Sequence, residues 1–213
     1  MFDRRTLLTA LAATTAIAGI RSPARAMLTD APTGEGARLT AIYERIYDML
    51  VEQDPEFATA LGLDKGDGAA AKAKLADRSP AGIKRGHDLY RTGLKELQTI
   101  DPAKLSGMDL VNYETFRGPW EDSVKTYDSF SYGLHSWPEP HPVTQLSGTY
   151  RSIPDFLINQ HSIANTADAE AYLVRCADFA VQLDNETSRI KGDHAAGIIP
   201  PDFVIDRTLG QFD

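Results

Sequence analysis

Cysteine is almost absent from this chain of 213 residues, in which Cys176 is the only one. No intramolecular disulfide can form, so packing and hydrogen bonds must hold the fold together even in an oxidising compartment. Cys176 falls in a helical pattern beside Leu173 and Phe179. That position predicts a small buried apolar residue rather than a catalytic thiol.

The common catalytic signatures are missing as well. The sequence contains no Gly-x-Ser-x-Gly elbow, no phosphate-binding loop and no dinucleotide fingerprint. None of its five histidines begins a His-Glu-x-x-His pattern, which would place two imidazoles on one helix face. His135, Glu139 and His141 could form at most an improvised metal site, because two prolines lie between the histidines. We therefore predict no catalytic residue and no metal ligand in this chain.

Basic side chains are fewer than acidic ones, 22 against 30, which gives a net charge of −8. An acidic surface repels phosphate groups and anionic lipid. Nucleic acid and anionic membrane surfaces are therefore not expected as partners. The length is enough for one domain with its own core.

The first 26 residues have the three-part layout of a secretory signal peptide. Paired arginines, Arg4-Arg5, precede an apolar run over 7–20 and a small-residue site at Ala24-Arg25-Ala26. The run is too short for a comfortable membrane span. We expect cleavage after residue 26 and no stable membrane span in the remaining chain.

The two arginines followed by Thr-Leu-Leu resemble the twin-arginine export signal. Asp3, Leu7 and Thr9 depart from the residues usual there, and an ordinary secretory signal with two arginines is the alternative. Either interpretation predicts a periplasmic or secreted protein.

The remainder, residues 27–213, has the apolar spacing of an all-α, multi-helix protein. The pattern predicts helices over 37–53, 54–63, 79–100, about 167–195, and from Ser106 onwards. Asp54, Ser106 and Asn165 or Thr166 are the expected N-caps, and Gly118-Pro119 should kink or interrupt the helix that contains it. A Gly/Asp turn is expected at 64–70. No stretch alternates with a period of two.

The helix over 167–195 is expected to bury an apolar side. That side comprises Tyr172, Leu173, Cys176, Phe179, Ala180, Leu183 and Ile190. Carboxylates at three-and-four spacing, such as Glu170, Asp184 and Glu186, are expected on solvated helix faces.

An irregular insert rich in proline, glycine and aromatic residues interrupts the helices over 128–153. Loops of this length within a helical domain are uncommon and usually functional when they are ordered. The sequence thus predicts a substrate-facing surface there.

The last segment, "GIIPPDFVIDRTLGQFD", begins a helix at Pro200-Pro201 and stops after about three turns. Its apolar side comprises Phe203, Val204, Leu209 and Phe212. From this we expect that residues 27–213 are the N-terminal part of a larger, truncated domain.

Five segments taken in order resemble the N-terminal part of the bacterial domain-of-unknown-function 885 family. They are "DPEFATALGLD", "LSGMDLVNYETF", "QLSGTYRSIPDFLINQH", "DAEAYLVRCADFAVQLD" and "GIIPPDFVIDRTL". The resemblance implies an exported helical protein similar to zinc metallopeptidases of the gluzincin kind. Zinc would activate water for peptide-bond hydrolysis in the full-length family.

The resemblance also implies that the zinc ligands lie in a C-terminal half, for which no position of this sequence is a match. This chain is then expected to bind no zinc, to be inactive alone, and to pack on that missing half. Gln145, Ser147, Tyr150 and His161 are the expected contacts with a peptide substrate. The alternative is a stand-alone periplasmic module that binds a peptide or a small ligand.

Overall fold

A computed structural model describes residues 34–132 and 140–211. The predicted signal segment, residues 1–26, lies outside the described residues, as do His135, Glu139 and Phe212. All secondary structure in the described ranges is helical, which confirms the all-α class. The α-helices are α1 (Glu35–Gln53), α2 (Pro55–Ala60), α3 (Pro80–Leu97), α4 (Gly107–Ser129), α5 (Thr149–Asn159), α6 (Thr166–Ala195) and α7 (Asp202–Leu209), with 3₁₀ helices at Gly66–Ala73 and Pro102–Lys104.

Two of the predicted N-caps are confirmed. The Asp54 carboxylate accepts a hydrogen bond of 2.9 Å from the backbone N–H of Phe57, and the Asn165 side chain accepts one of 3.0 Å from that of Asp168. Ser106 also occupies its predicted N-cap position, but its side chain makes no capping bond, and its carbonyl accepts from the backbone N–H of Asp109.

Two other expectations need correction. The predicted Gly/Asp turn is largely a 3₁₀ helix, Gly66–Ala73. Pro119 does not interrupt α4, because the buried Trp120 and Tyr113 anchor the turns on either side of it in the core. The irregular insert is also shorter than predicted, since α4 continues to Ser129 and α5 begins at Thr149.

The larger of two hydrophobic cores lies among α1, α3 and α4, which pack on one another. α3 provides a closely spaced leucine stripe, and α4 adds two aromatic rings. The buried members are Leu39, Ile42, Ile46, Leu89, Leu94, Leu97, Ile100, Leu105, Tyr113 and Trp120. This core fixes the crossing of α3 and α4.

A smaller core joins α5 to α6 and to the segment after the first 3₁₀ helix. Leu75, Ile153, Phe156 and Leu157 are buried there, and Tyr172 and Phe179 of α6 pack against them.

The predicted orientation of α6 is wrong for most of its apolar side. Its buried residues are polar, namely Arg175, Gln182 and Glu186. Cys176 is exposed rather than buried, because it lies roughly 100° around the helix from Arg175. The side of α6 away from its buried polar residues exposes Leu173, Val174 and Val181, and Ile190 is exposed as well.

The short helix α7 forms where Pro200-Pro201 predicted it, with Gly197 at a φ of 81° after the end of α6. Phe203 and Leu209 are exposed and Val204 is half-buried. Among the described helices, none is long and apolar enough to cross a membrane.

Candidate functional site

Three of the four predicted substrate contacts lie together in the turn that leads into α5. The Ser147 hydroxyl lies 2.9 Å from that of Thr144, and the backbone N–H of Ser147 donates to the same Thr144 oxygen at 3.1 Å. The Tyr150 hydroxyl lies 2.9 Å from the Thr144 carbonyl and 2.6 Å from the Gln211 side-chain oxygen. Gln211 in turn donates to the Gln145 carbonyl at 3.0 Å. These bonds close the turn and attach the residue after α7 to it.

His161, the fourth predicted contact, lies at the other end of α5 and is buried. An eleven-residue helix separates it from the turn, a span of roughly 16 Å. The four residues therefore do not form one site.

His161 instead belongs to a network around Arg175, whose side chain is fully buried. Arg175 Nη1 lies 2.8 Å from His161 Nδ1, and Nη2 donates to Thr59 Oγ1 at 2.7 Å and to the Ala71 carbonyl at 3.0 Å. Nε donates to the Lys74 carbonyl at 2.9 Å. Since Nδ1 accepts from a guanidinium, His161 carries its proton on Nε2 and donates it to the Asp168 carbonyl at 3.0 Å.

Burial lowers the pKa of Arg175, while the charges of Glu56 and Asp64 act in the opposite direction. The guanidinium also lies over the Phe156 ring, 4.7 Å from its centroid. Its hydrogen bonds join α2, the first 3₁₀ helix and the α5–α6 connection. This network, which we call the joint around Arg175, therefore holds these elements together. We assign no catalytic role to its nitrogen atoms.

A second buried polar contact connects α6 to the start of α5. The Glu186 carboxylate accepts from the Thr149 backbone N–H at 3.0 and 3.1 Å and from the Thr149 hydroxyl at 3.0 Å. Burial raises the pKa of Glu186, and the bonds from Thr149 lower it. The expectation of a solvated carboxylate at this position is wrong, because Glu186 caps a neighbouring helix.

One open depression of about 660 Å³ lies beside the N-terminus of α6. Its Lys72 and Asp168 side chains form an ion pair of 2.7 Å and are largely shielded from solvent. These two charges therefore satisfy each other and are not available to a ligand.

A groove of about 390 Å³ lies among α3, α4, α6 and the first residues of the insert. His87 of α3 stacks on Tyr127 of α4, with ring centroids 3.9 Å apart and planes at 12°. Phe130 and Tyr132 meet edge to face at 5.6 Å. Arg189 of α6 completes the wall, so we take this groove as the candidate functional site.

Burial lowers the pKa of His87 below its ordinary value of 6.5. The surrounding charges contribute further: Arg91 and Arg189 lower the pKa, while Asp88 and Asp128 raise it. The Tyr127 hydroxyl is buried without a hydrogen-bond partner among the described residues, and burial raises its pKa.

Acidification should expose the effect of His87 on stability. The pKa of His87 is lower in the folded state than in the unfolded state, so the unfolded chain takes up the proton first as the pH falls. The contribution of neutral His87 to the free energy of unfolding is therefore present above pH 6.5 and is lost as the pH falls towards the lowered pKa. The wild-type protein should therefore lose more stability than His87→Phe, which keeps an aromatic ring on Tyr127. Urea midpoints measured between pH 7.5 and about 5.5 test this, and parallel curves for the two proteins would contradict it.

The insert predicted to face substrate contributes Phe130 and Tyr132 to this groove, but His87, Tyr127 and Arg189 were not predicted as site residues. His87 and Tyr127 are forty positions apart on different helices, so no pattern within either helix indicates that they meet. Arg189 gave no signal, because the polar side of α6 was expected to face solvent.

No set of three His, Cys, Asp or Glu side chains in the described ranges could hold a metal ion. His141 lies in these ranges, but its partners in the improvised site, His135 and Glu139, do not. The residues described here therefore do not fit a zinc centre.

The fold and site together define an all-α protein with a polar internal joint and a side groove. The model of one family, described as bacterial protein of unknown function (DUF885), matches residues 55–213. The chain belongs to this family. Searches of curated proteins and of solved structures found no match.

Proposed function

We propose that this chain is the N-terminal helical lobe of an exported, zinc-dependent peptidase whose metal centre lies on a second lobe. The observation that carries this proposal is the outward apolar side of α6. Membership in the family supports it further through the resemblance to zinc metallopeptidases.

The exposed side of α6 has the character of an interface. Leu173 is 67% exposed, Val174 51% and Val181 53%, on a helix whose inner side is polar. Exposed apolar side chains of this kind are typical of contacts with other proteins or protein segments. The family resemblance implies that the C-terminal half of the same fold covers them. Phe203 and Leu209 of α7 are further exposed apolar residues.

In this proposal the lobe supplies binding surface and no metal chemistry. The described residues hold no zinc site, so we assign no catalytic step to this chain. The turn around Gln145, Ser147 and Tyr150 would face the peptide substrate from one wall of the cleft. His161 would not contact the substrate, since it is buried against Arg175. It would affect substrate binding only through the position of α5.

Reconstitution with a second lobe tests the proposal. The chain would be coexpressed with the C-terminal half of a family member that contains His-Glu-x-x-His. We expect an equimolar complex that binds zinc and hydrolyses peptides, and neither property in this chain alone. The double variant Leu173→Glu/Val181→Glu should prevent complex formation, because buried unpaired charges are costly.

The matched control is Met108→Glu/Val111→Glu, which places two charges on exposed apolar positions of α4. That control should leave the complex intact. Equal disruption by both double variants, or peptide hydrolysis by the chain alone, would contradict the proposal.

The groove among α3, α4 and α6 favours a second candidate, a periplasmic module that binds a small ligand or a peptide. Its volume falls within the range of small-molecule sites. If the chain is monomeric, does not bind the C-terminal half and binds a ligand in the groove, this candidate is favoured over the peptidase lobe.

A further inference from the structure

We propose that the groove among α3, α4 and α6 binds a carboxylate attached to an aromatic ring, with Arg189 as the principal anion contact. This site requires neither zinc nor a second lobe, so it goes beyond the peptidase proposal.

The charge of the groove is the first argument. Lys84 and Arg189 line it, and no Asp or Glu is part of its described lining. The protein as a whole has a net charge of −8, so a lining with two cations and no carboxylate departs from the general surface. Lys84 is paired with Asp88 at 2.5 Å, but both side chains are largely exposed, and such pairs contribute little.

The unused donors of Arg189 are the second argument. Its nearest carboxylate oxygen, Oδ2 of Asp193, lies 4.0 Å from Nε, which is too far for a hydrogen bond. Arg189 Nε and Asp193 Oδ2 are both buried without a partner within the described part of the chain. Because Nε is buried while the Arg189 side chain is 22% exposed, an anionic ligand would contact the terminal Nη groups of the guanidinium, whose planar fork matches a carboxylate.

The aromatic walls are the third argument, and they define the rest of the ligand. Tyr127 is stacked on His87, while Phe130 and Tyr132 form a second aromatic pair. Phe130 remains 51% exposed, which leaves ring surface available for contact. Ring-on-ring contacts contribute roughly 0.5–1.5 kcal/mol beyond the burial of area.

Calorimetric titration with N-acetyl-L-phenylalanine tests the charge and the ring together. We expect saturable binding, and none to N-acetyl-L-phenylalanine amide, which has the same ring without the carboxylate. Arg189→Gln should weaken binding roughly tenfold to a hundredfold, as the loss of a charge-assisted bond predicts. Arg207→Gln on α7, an exposed arginine that does not line the groove, should leave the affinity unchanged.

Two phenylalanine variants separate ligand contact from stability. Phe130 of the groove and Phe203 of α7 both have more than half of their surface exposed. Phe130→Leu and Phe203→Leu should both fold about as stably as the wild type, but only Phe130→Leu should weaken binding. If Arg189→Gln does not fold, Lys84→Gln at an exposed position serves in its place, with a several-fold loss of affinity expected.

Two sources could supply such a ligand, a free aromatic acid or the C-terminus of a peptide. A hexapeptide with a free C-terminal phenylalanine, compared with the same peptide amidated, distinguishes them. Binding of the free peptide indicates a peptide C-terminus, and binding of N-acetyl-L-phenylalanine alone indicates a small acid. Equal binding of acid and amide, no binding at all, or unchanged affinity in Arg189→Gln would overturn the proposal.

Discussion

Arg175→Met should lower the free energy of unfolding by about 3–5 kcal/mol, because a hydrogen bond from a charged group contributes about 1.5–3 kcal/mol and several such bonds are lost together. The variant would fill a similar volume but would leave acceptors unpaired at the buried Thr59 and His161 and at the carbonyls of Ala71 and Lys74. Each unpaired buried polar group costs about 1–3 kcal/mol.

The joint around Arg175 connects parts of the chain that are distant in sequence. Arg175 and Thr59 are separated by 116 positions. Without the guanidinium, the first 3₁₀ helix loses its attachment to α6 through the carbonyls of Ala71 and Lys74. We therefore expect a less cooperative unfolding transition as well as a lower midpoint, which would appear as a smaller m-value in urea.

Arg45→Met is the matched control for this prediction. Arg45 pairs with Glu96 at 2.6 Å on the surface, with more than half of the arginine side chain exposed. Exposed pairs typically contribute less than about 1 kcal/mol. A loss below about 1 kcal/mol for Arg175→Met, similar to that of Arg45→Met, would show that the network contributes little to stability.

The helices themselves could be predicted from the sequence, because their apolar spacing and caps are local. Asp54 and Asn165 cap helices through residues three positions away, so nothing distant had to be known. The turn around Ser147 was also accessible, since Gln145, Ser147 and Tyr150 lie close together in the chain. Whether they contact substrate remains a prediction.

The orientation of α6 could not be predicted, because both of its sides have a three-and-four spacing. Leu173, Cys176 and Ala180 form one stripe, while Arg175, Phe179, Gln182 and Glu186 form another. Apolar content favoured the first stripe as the buried one. The structure buries the second, since its polar groups find partners such as Thr59 and Thr149 that are distant in sequence.

The same limit applies to the groove. Arg189 continues the polar stripe of α6, so its place beside His87 and Tyr127 depends on the orientation of α6 and on the crossing of α3 with α4. A pattern within one helix indicates which residues share a face, but it does not indicate which helix that face meets.

Gly93→Ala should lower the free energy of unfolding by about 3 kcal/mol, although helix propensity alone predicts the opposite sign. Alanine is normally about 1 kcal/mol better than glycine in a helix interior. At Gly93, however, an added Cβ would lie 2.2 Å from Cζ3 and 2.9 Å from Cη2 of Trp120. Trp120 is buried in the larger core, and its rigid ring cannot yield without moving α3 from α4.

Gly86→Ala supplies the matched control within α3 itself. Gly86 is also inside a helix, but a Cβ there would approach only Gln53 Nε2, at 4.0 Å, which is an ordinary van der Waals contact. This substitution should therefore raise stability by about 0.5–1 kcal/mol. Opposite signs for the two glycines in chemical denaturation would identify the Trp120 contact as the cause, whereas stabilisation by both substitutions would contradict it.

The Gly93 variant also connects the core to the groove. His87 lies on the same helix as Gly93, and Tyr127 lies on the same helix as Trp120. A separation of α3 from α4 should therefore disturb the stack of His87 on Tyr127, whose centroids are 3.9 Å apart. The double variant Gly93→Ala/Trp120→Phe should recover part of the stability, because a smaller ring leaves room for the methyl group, and this coupling would appear as non-additivity. If the double variant recovers both the stability and the pH dependence attributed to His87, the contact of Gly93 with Trp120 sets the geometry of the groove.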